Sequence, residues 1–96
     1  MKGYLILDLS IVELNGFCEY VQKIPQYISK HGGRYIVQGV QPELMEGSWL
    51  PDRLVVLEFP TKDAAREFLS DPDAQELFAI RHKTTKSNLI LAEGCM

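Results

Sequence analysis

"SKHGGRYIVQG", residues 29–39, decides how this chain folds. Two adjacent glycines follow an amphipathic stretch and precede one rich in β-branched and aromatic residues. A helix can end there, because one glycine adopts the left-handed geometry that a Cβ resists and the other frees the turn that follows. Residues 31–33 therefore read as a helix-to-strand junction, with Arg34 opening the strand.

Upstream, "FCEYVQKIPQYISKH" (17–31) places Phe17, Tyr20, Val21, Ile24, Tyr27 and Ile28 on one helical stripe. Asn15 is its expected N-cap, and Pro25 is expected to kink it. Before it, "YLILDLSI" (4–11) reads as a strand. Downstream, "RYIVQGVQ" (34–41) is a second strand and "PELMEGSWLPD" (42–52) a long hairpin loop; "RLVVLEF" (53–59) is a third strand. A second helix opens at Pro60-Thr61, with Ala65, Phe68 and Leu69 as its stripe. It is recapped by Asp71 with Pro72 at its first position, and carries Leu77 and Phe78 on the buried side as far as Arg81. "SNLILAEG" (87–94) is the fourth strand. The order βαββαβ predicts an α+β, ferredoxin-like domain over residues 1–96, with an antiparallel sheet in the order 4-1-3-2 and both helices on one face.

Composition fits one ordinary globular domain of 96 residues, 46% hydrophobic and 24% charged. A net charge of -3 offers no basic footprint for nucleic acid. The RNA-recognition motif shares this strand order, but it stacks bases on aromatic rings of the third strand, where this chain has Leu54 and Val56. Cys18 and Cys95 lie far apart, which predicts reduced thiols and a cytoplasmic protein. No apolar run is long enough to span a bilayer, and Asp8 and Glu13 interrupt the only segment resembling a secretory leader. Neither a membrane nor a nucleic acid is an expected partner.

Alternation in the strands separates two faces. Leu5, Leu7, Leu9, Tyr35, Val37, Val55, Leu57, Phe59, Leu89 and Leu91 belong under the helices. The opposite face carries Ile6, Ile36, Val56 and Ile90 at its centre, an apolar patch unusual for a monomer. No third helix exists to cover it, so a second copy of the chain is the expected lid. A hairpin of the second and third strands sets Arg34 beside Glu58, Ile36 beside Val56 and Gln38 beside Leu54, with Tyr4 flanking Glu58. Asp8, Gln38 and Asn88 are expected at the other end, with Arg81 delivered nearby to pair with Asp8 or Glu46 or to guard a cleft. Two readings of Arg34 stand. It neutralises Glu58 within a subunit interface, or it anchors a small anionic ligand there. The candidate ligand-binding residues are Tyr4, Arg34 and Glu58, joined by Trp49 of the "EGSW" loop and Arg81.

"HGGRYIVQG", "MEGSWLPDRLVVLEFP", "DAAREFLSDPDAQEL", "IRHK" and "LILAEG" together resemble the family called domain of unknown function 1330, across essentially the whole chain. Arg34, Glu46, Gly47, Trp49, Arg53, Glu58, Phe59 and Arg81 match its pattern. Gln38 departs from it, standing where the family usually has arginine, and so does Ala74, where it usually has tyrosine. The resemblance implies a dimeric α+β barrel in which two such sheets pack face to face. It carries over no catalytic residue, since the family's activity is not established.

No metal spacing, GxSxG elbow, P-loop or dinucleotide fingerprint occurs, and no cofactor is expected. His31 reads as a helix C-terminal residue and His82 as part of a solvated basic run after the second helix. The expectation is a homodimeric small-molecule-binding protein with a pocket near the subunit interface. The alternatives are a cofactor-independent enzyme of the monooxygenase or isomerase kind, by analogy of fold, and a purely structural interaction module. An enzyme asks for a carboxylate of raised pKa beside a cavity. A binder asks for a cavity with an arginine, and an interaction module for no cavity at all.

Overall fold

Alternating buried and half-buried residues form β1 (Gly3–Ile11), which lies at the centre of the sheet because both of its edges are paired. The computed structural model describes all 96 residues. It contains α1 (Leu14–Lys30), β2 (Arg34–Val40), β3 (Arg53–Phe59), α2 (Lys62–Ser70), α3 (Gln75–Thr84) and β4 (Thr85–Glu93). A 3₁₀ turn, Pro72–Ala74, joins α2 to α3. The strands are antiparallel in the order β2-β3-β1-β4, which is the expected ferredoxin-like topology.

α1 buries Phe17, Tyr20, Ile24 and Ile28, the spacing of a single stripe, and runs unbroken through Pro25. Its start differs from the sequence expectation. Glu13 rather than Asn15 is the N-cap, accepting from the Asn15 and Gly16 amides at 3.1 and 2.8 Å. The Val12 and Glu13 amides donate to the Thr84 carbonyl, so contact with the end of α3 sets the first turn. The other end is as read. Gly32 takes φ +77°, its amide donates to Ser29, and the Gly33 amide donates to Ile28 at 2.8 Å, which satisfies carbonyls of the last turn.

Asp71 caps the 3₁₀ turn by accepting from the Asp73 amide at 2.9 Å, with Pro72 following it as expected. The basic run from Ile80 to Lys86 forms the last turn of α3 and the start of β4, with His82, Lys83 and Lys86 exposed as expected. Thr84 and Thr85 are buried there, and their hydroxyls donate to the Ile80 and Arg81 carbonyls. Leu5, Leu9, Ile24, Phe59 and Phe68 are the most deeply buried large residues. The Phe59, Phe68 and Phe78 rings follow one another at 5.3 Å between centroids.

The register of β2 is the second correction. Arg34 faces Glu58 as expected, but Val37 rather than Ile36 lies opposite Val56, and Gln38 lies opposite Val55 rather than Leu54. The register shifts once between Tyr35 and Val37 and again between Gln38 and Val40, where Gly39 has φ +66°. Each bulge inserts one residue and reverses the alternation after it. Val37 thereby joins the row Val37–Val56–Ile6–Ile90 on the open face, and Gln38 takes the register of the helix-side residues.

Candidate ligand-binding cavity

On the open face, one row across the sheet is Arg34–Glu58–Tyr4–Ala92. The Tyr4 hydroxyl donates to Glu58 Oε2 at 3.0 Å and Arg34 Nε donates to Oε1 at 3.0 Å, while Lys2 Nζ stands 3.7 Å away. The Tyr4 hydrogen bond, joined by Arg34, holds the Glu58 carboxyl below the usual carboxylate range, and the same bond raises the Tyr4 phenol. A carboxylate so stabilised is a poor general base. Two rows away, the Trp49 indole N–H donates to Asp8 Oδ2 at 3.0 Å, which folds the long loop back on the sheet. Between these groups Ile36 and Ile90 are exposed, and Val40 is exposed in the row of Asp8.

Arg81 is not with them. It lies on the helix side of the sheet, only 5% exposed, and makes no ion pair with Asp8 or Glu46. Its guanidinium carbon lies 5.9 Å from the centre of the Tyr20 ring and 5.6 Å from that of Phe78. Arg81 Nη2 donates to His82 Nε2 at 3.2 Å, and Nε is buried with no partner. Of the residues singled out in the sequence, the structure thus brings together Tyr4, Arg34 and Glu58. Trp49 stands apart from them, and Arg81 is across the sheet.

Arg81 lines a cavity of about 240 Å³ between the sheet and the helices. Leu5, Leu7, Leu57 and Leu89 of the sheet form much of its wall, with Phe17 and Tyr20 of α1 facing them. The exposed lining residues Val21, Gln38 and Arg53 mark the side open to solvent. Arg53 Nη1 donates to the Gly39 carbonyl at 3.4 Å, tying the second bulge to β3. Burial raises the Tyr20 phenol against the opposing pull of Arg81, and burial pushes the Tyr35 phenol up to about 12. Both tyrosines are therefore neutral at physiological pH.

Tyr20, Tyr35, Gln38 and Arg53 were not singled out from the sequence as ligand-binding residues. A signal existed for Arg81 in this setting: it follows Leu77 and Phe78 by four and three residues, which puts a cation on the buried face of α3. No local signal marks Gln38, because its side is set by a bulge. No group of three or more His, Cys, Asp or Glu side chains is placed to hold a metal ion, and no helix is long and apolar enough to cross a membrane.

Fold and cavity together define a ferredoxin-like α+β domain with an apolar space beneath its sheet. The chain belongs to the family described as domain of unknown function DUF1330, whose pattern matches residues 2–95. No curated protein sequence matches it. Among solved structures, it is similar to a protein of unknown function from Rhodopseudomonas palustris, at 17% identity and a TM-score of 0.81, covering 99% of this chain and 83% of that one. A variant of SnoaB, a cofactor-independent oxygenase from Streptomyces nogalater, is similar at 12% identity and a TM-score of 0.71, covering 99% and 94%. A dimeric protein of unknown function with a ferredoxin-like fold from Bacteroides fragilis is similar at 16% identity and a TM-score of 0.58, covering 97% and 96%. At these identities the likeness is one of fold.

Proposed function

We propose that this protein is a homodimeric binder of a small, largely apolar molecule, held in the cavity between sheet and helices. The observation that carries the reading is the cavity itself: about 240 Å³ in the interior, with fourteen of its eighteen lining residues hydrophobic. An interaction module has no use for such a space. An enzyme reading asks for an acid of raised pKa beside the cavity, whereas Glu58 is shifted downward and belongs to the opposite face. Dimerisation through the open face is supported by the row Val37–Val56–Ile6–Ile90 and by the exposure of Ile90. A neighbour of the same fold is described as dimeric. In this arrangement Tyr4, Arg34 and Glu58 close one end of the seam and Trp49 the other.

A thermal-shift screen with apolar molecules of about ten non-hydrogen atoms, both uncharged and monoanionic, tests the binding reading. A ligand held at one hundred times its Kd should raise the midpoint by roughly 10–20 °C. Val55→Phe, which fills the cavity, should abolish the shift, and Arg34→Ala, altered on the other face, should retain it. A wild-type protein that no member of the panel stabilises would overturn the reading.

A further inference from the structure

We infer that the cavity's ligand is a small organic monoanion: an apolar body ending in a carboxylate that lies inward against Arg81. This rests on the binding reading above and names the class of molecule bound. A buried guanidinium ordinarily has a carboxylate beside it, because an uncompensated charge out of water is strongly disfavoured. Arg81 is 5% exposed, and the chain supplies it with two aromatic faces, one imidazole nitrogen and the neutral Tyr20 phenol, but no anion. Its Nε–H is left without an acceptor. The neighbouring phenol of Tyr20 is raised by burial, so it supplies no negative charge near neutral pH. The missing acceptor is therefore external to the chain, and an anionic oxygen on the ligand satisfies both the charge and the free donor.

The remaining wall sets the rest of the molecule. Leu5, Leu7, Leu57, Leu89 and Phe17 offer no hydrogen-bonding side chain, and Tyr20, Tyr35 and Gln38 add only a few neutral polar groups to the wall, so the body is largely hydrocarbon. At about 30 Å³ per non-hydrogen atom of a liquid, 240 Å³ holds roughly eight atoms, and somewhat more when closely packed. Arg53 offers a second cation at the solvent side. It is exposed and already bound to the Gly39 carbonyl, and an exposed pair contributes little. The head-inward orientation follows from that difference.

Octanoate and 1-octanol are matched probes, titrated by calorimetry into the wild type, Arg81→Met, Arg81→Lys and Arg53→Gln. Methyl NMR locates the site, because cavity residues Leu7 and Leu89 and open-face residues Ile6 and Ile90 report separately. Octanoate is expected to bind the wild type at least about tenfold tighter than octanol, while moving the leucine and not the isoleucine signals. Arg81→Met should erase that preference yet keep octanol binding within a few fold. Arg81→Lys should keep part of it, and Arg53→Gln nearly all. Equal binding of both probes at the leucine methyls overturns the anionic head and leaves the cavity reading standing. Neither probe reaching those methyls overturns both. A preference that persists in Arg81→Met, or is lost in Arg53→Gln, overturns the assignment of Arg81. Should Arg81→Met not fold, the wild-type comparison and the Arg81→Lys and Arg53→Gln arms still decide.

Discussion

Two buried or half-buried charges in this chain are resolved in opposite ways. Arg81 has no counter-ion, whereas Asp71 is surrounded by donors: Lys30 Nζ at 2.8 Å, His31 Nε2 at 2.8 Å and the Asp73 amide at 2.9 Å. Lys30 first, then His31 and the backbone, hold the Asp71 carboxyl well below the usual carboxylate range. This one side chain ties the end of α1 to the turn between α2 and α3. Because its folded pKa is depressed, its contribution is fully present above the unfolded value near 3.9 and is lost as pH falls toward the folded one. The urea midpoint of the wild type should therefore decline below about pH 4.5, and that of Asp71→Asn should decline less steeply. Removing the cap altogether in Asp71→Ala should lower the thermal midpoint by about 4–8 °C at neutral pH. Parallel pH profiles of wild type and Asp71→Asn would refute the linkage. The cap at Asp71 was legible in the sequence, since Asp before Pro is a local signal. The partners Lys30 and His31 were not, lying some forty residues away along the chain.

At the scale of elements, the junction at 31–33 is the most constrained. Gly32 is held at a positive φ that a side chain tolerates poorly, and Gly33 lies where an added Cβ would come within 2.5 Å of the Phe59 ring. Gly32→Ala should cost about 1–2 kcal/mol in denaturant unfolding, from the left-handed backbone alone. Gly33→Ala should cost more, because Phe59 is fully buried and has nowhere to retreat. The reverse order, measured at constant m-value, would show that the Phe59 contact yields easily. β2 is constrained differently. Its two bulges are the reason the alternation read from "RYIVQGVQ" held at Arg34 and failed at Gln38. Period-two patterning assumes a regular ladder, and the insertion of one residue is invisible in the hydropathy of an edge strand.

At the scale of the molecule, the sheet presents an apolar, cavity-lining face to the helices and a greasy centre to the outside. Ile36, Val40 and Ile90 are 45%, 50% and 60% exposed in the single chain. Covering each large aliphatic side chain contributes about 1.5–3 kcal/mol against the cost of association. Light scattering should find the wild type as a dimer, and Val56→Asp, with a charge in the middle of the row, as monomer or aggregate. A stable Val56→Asp dimer would mean that the copies meet elsewhere. What the sequence alone determined is the element order, the sheet order and the division of most strand residues between two faces, because each follows from short-range periodicity and from glycine and proline chemistry. The family could also be recognised there, since its blocks are contiguous. Only the tertiary structure decided that Arg81 ends in an apolar cavity, that Gln38 turns to its open side, and that Glu13 begins α1. Each depends on atoms from strands and helices far apart in the chain, and no local pattern encodes the space left between them.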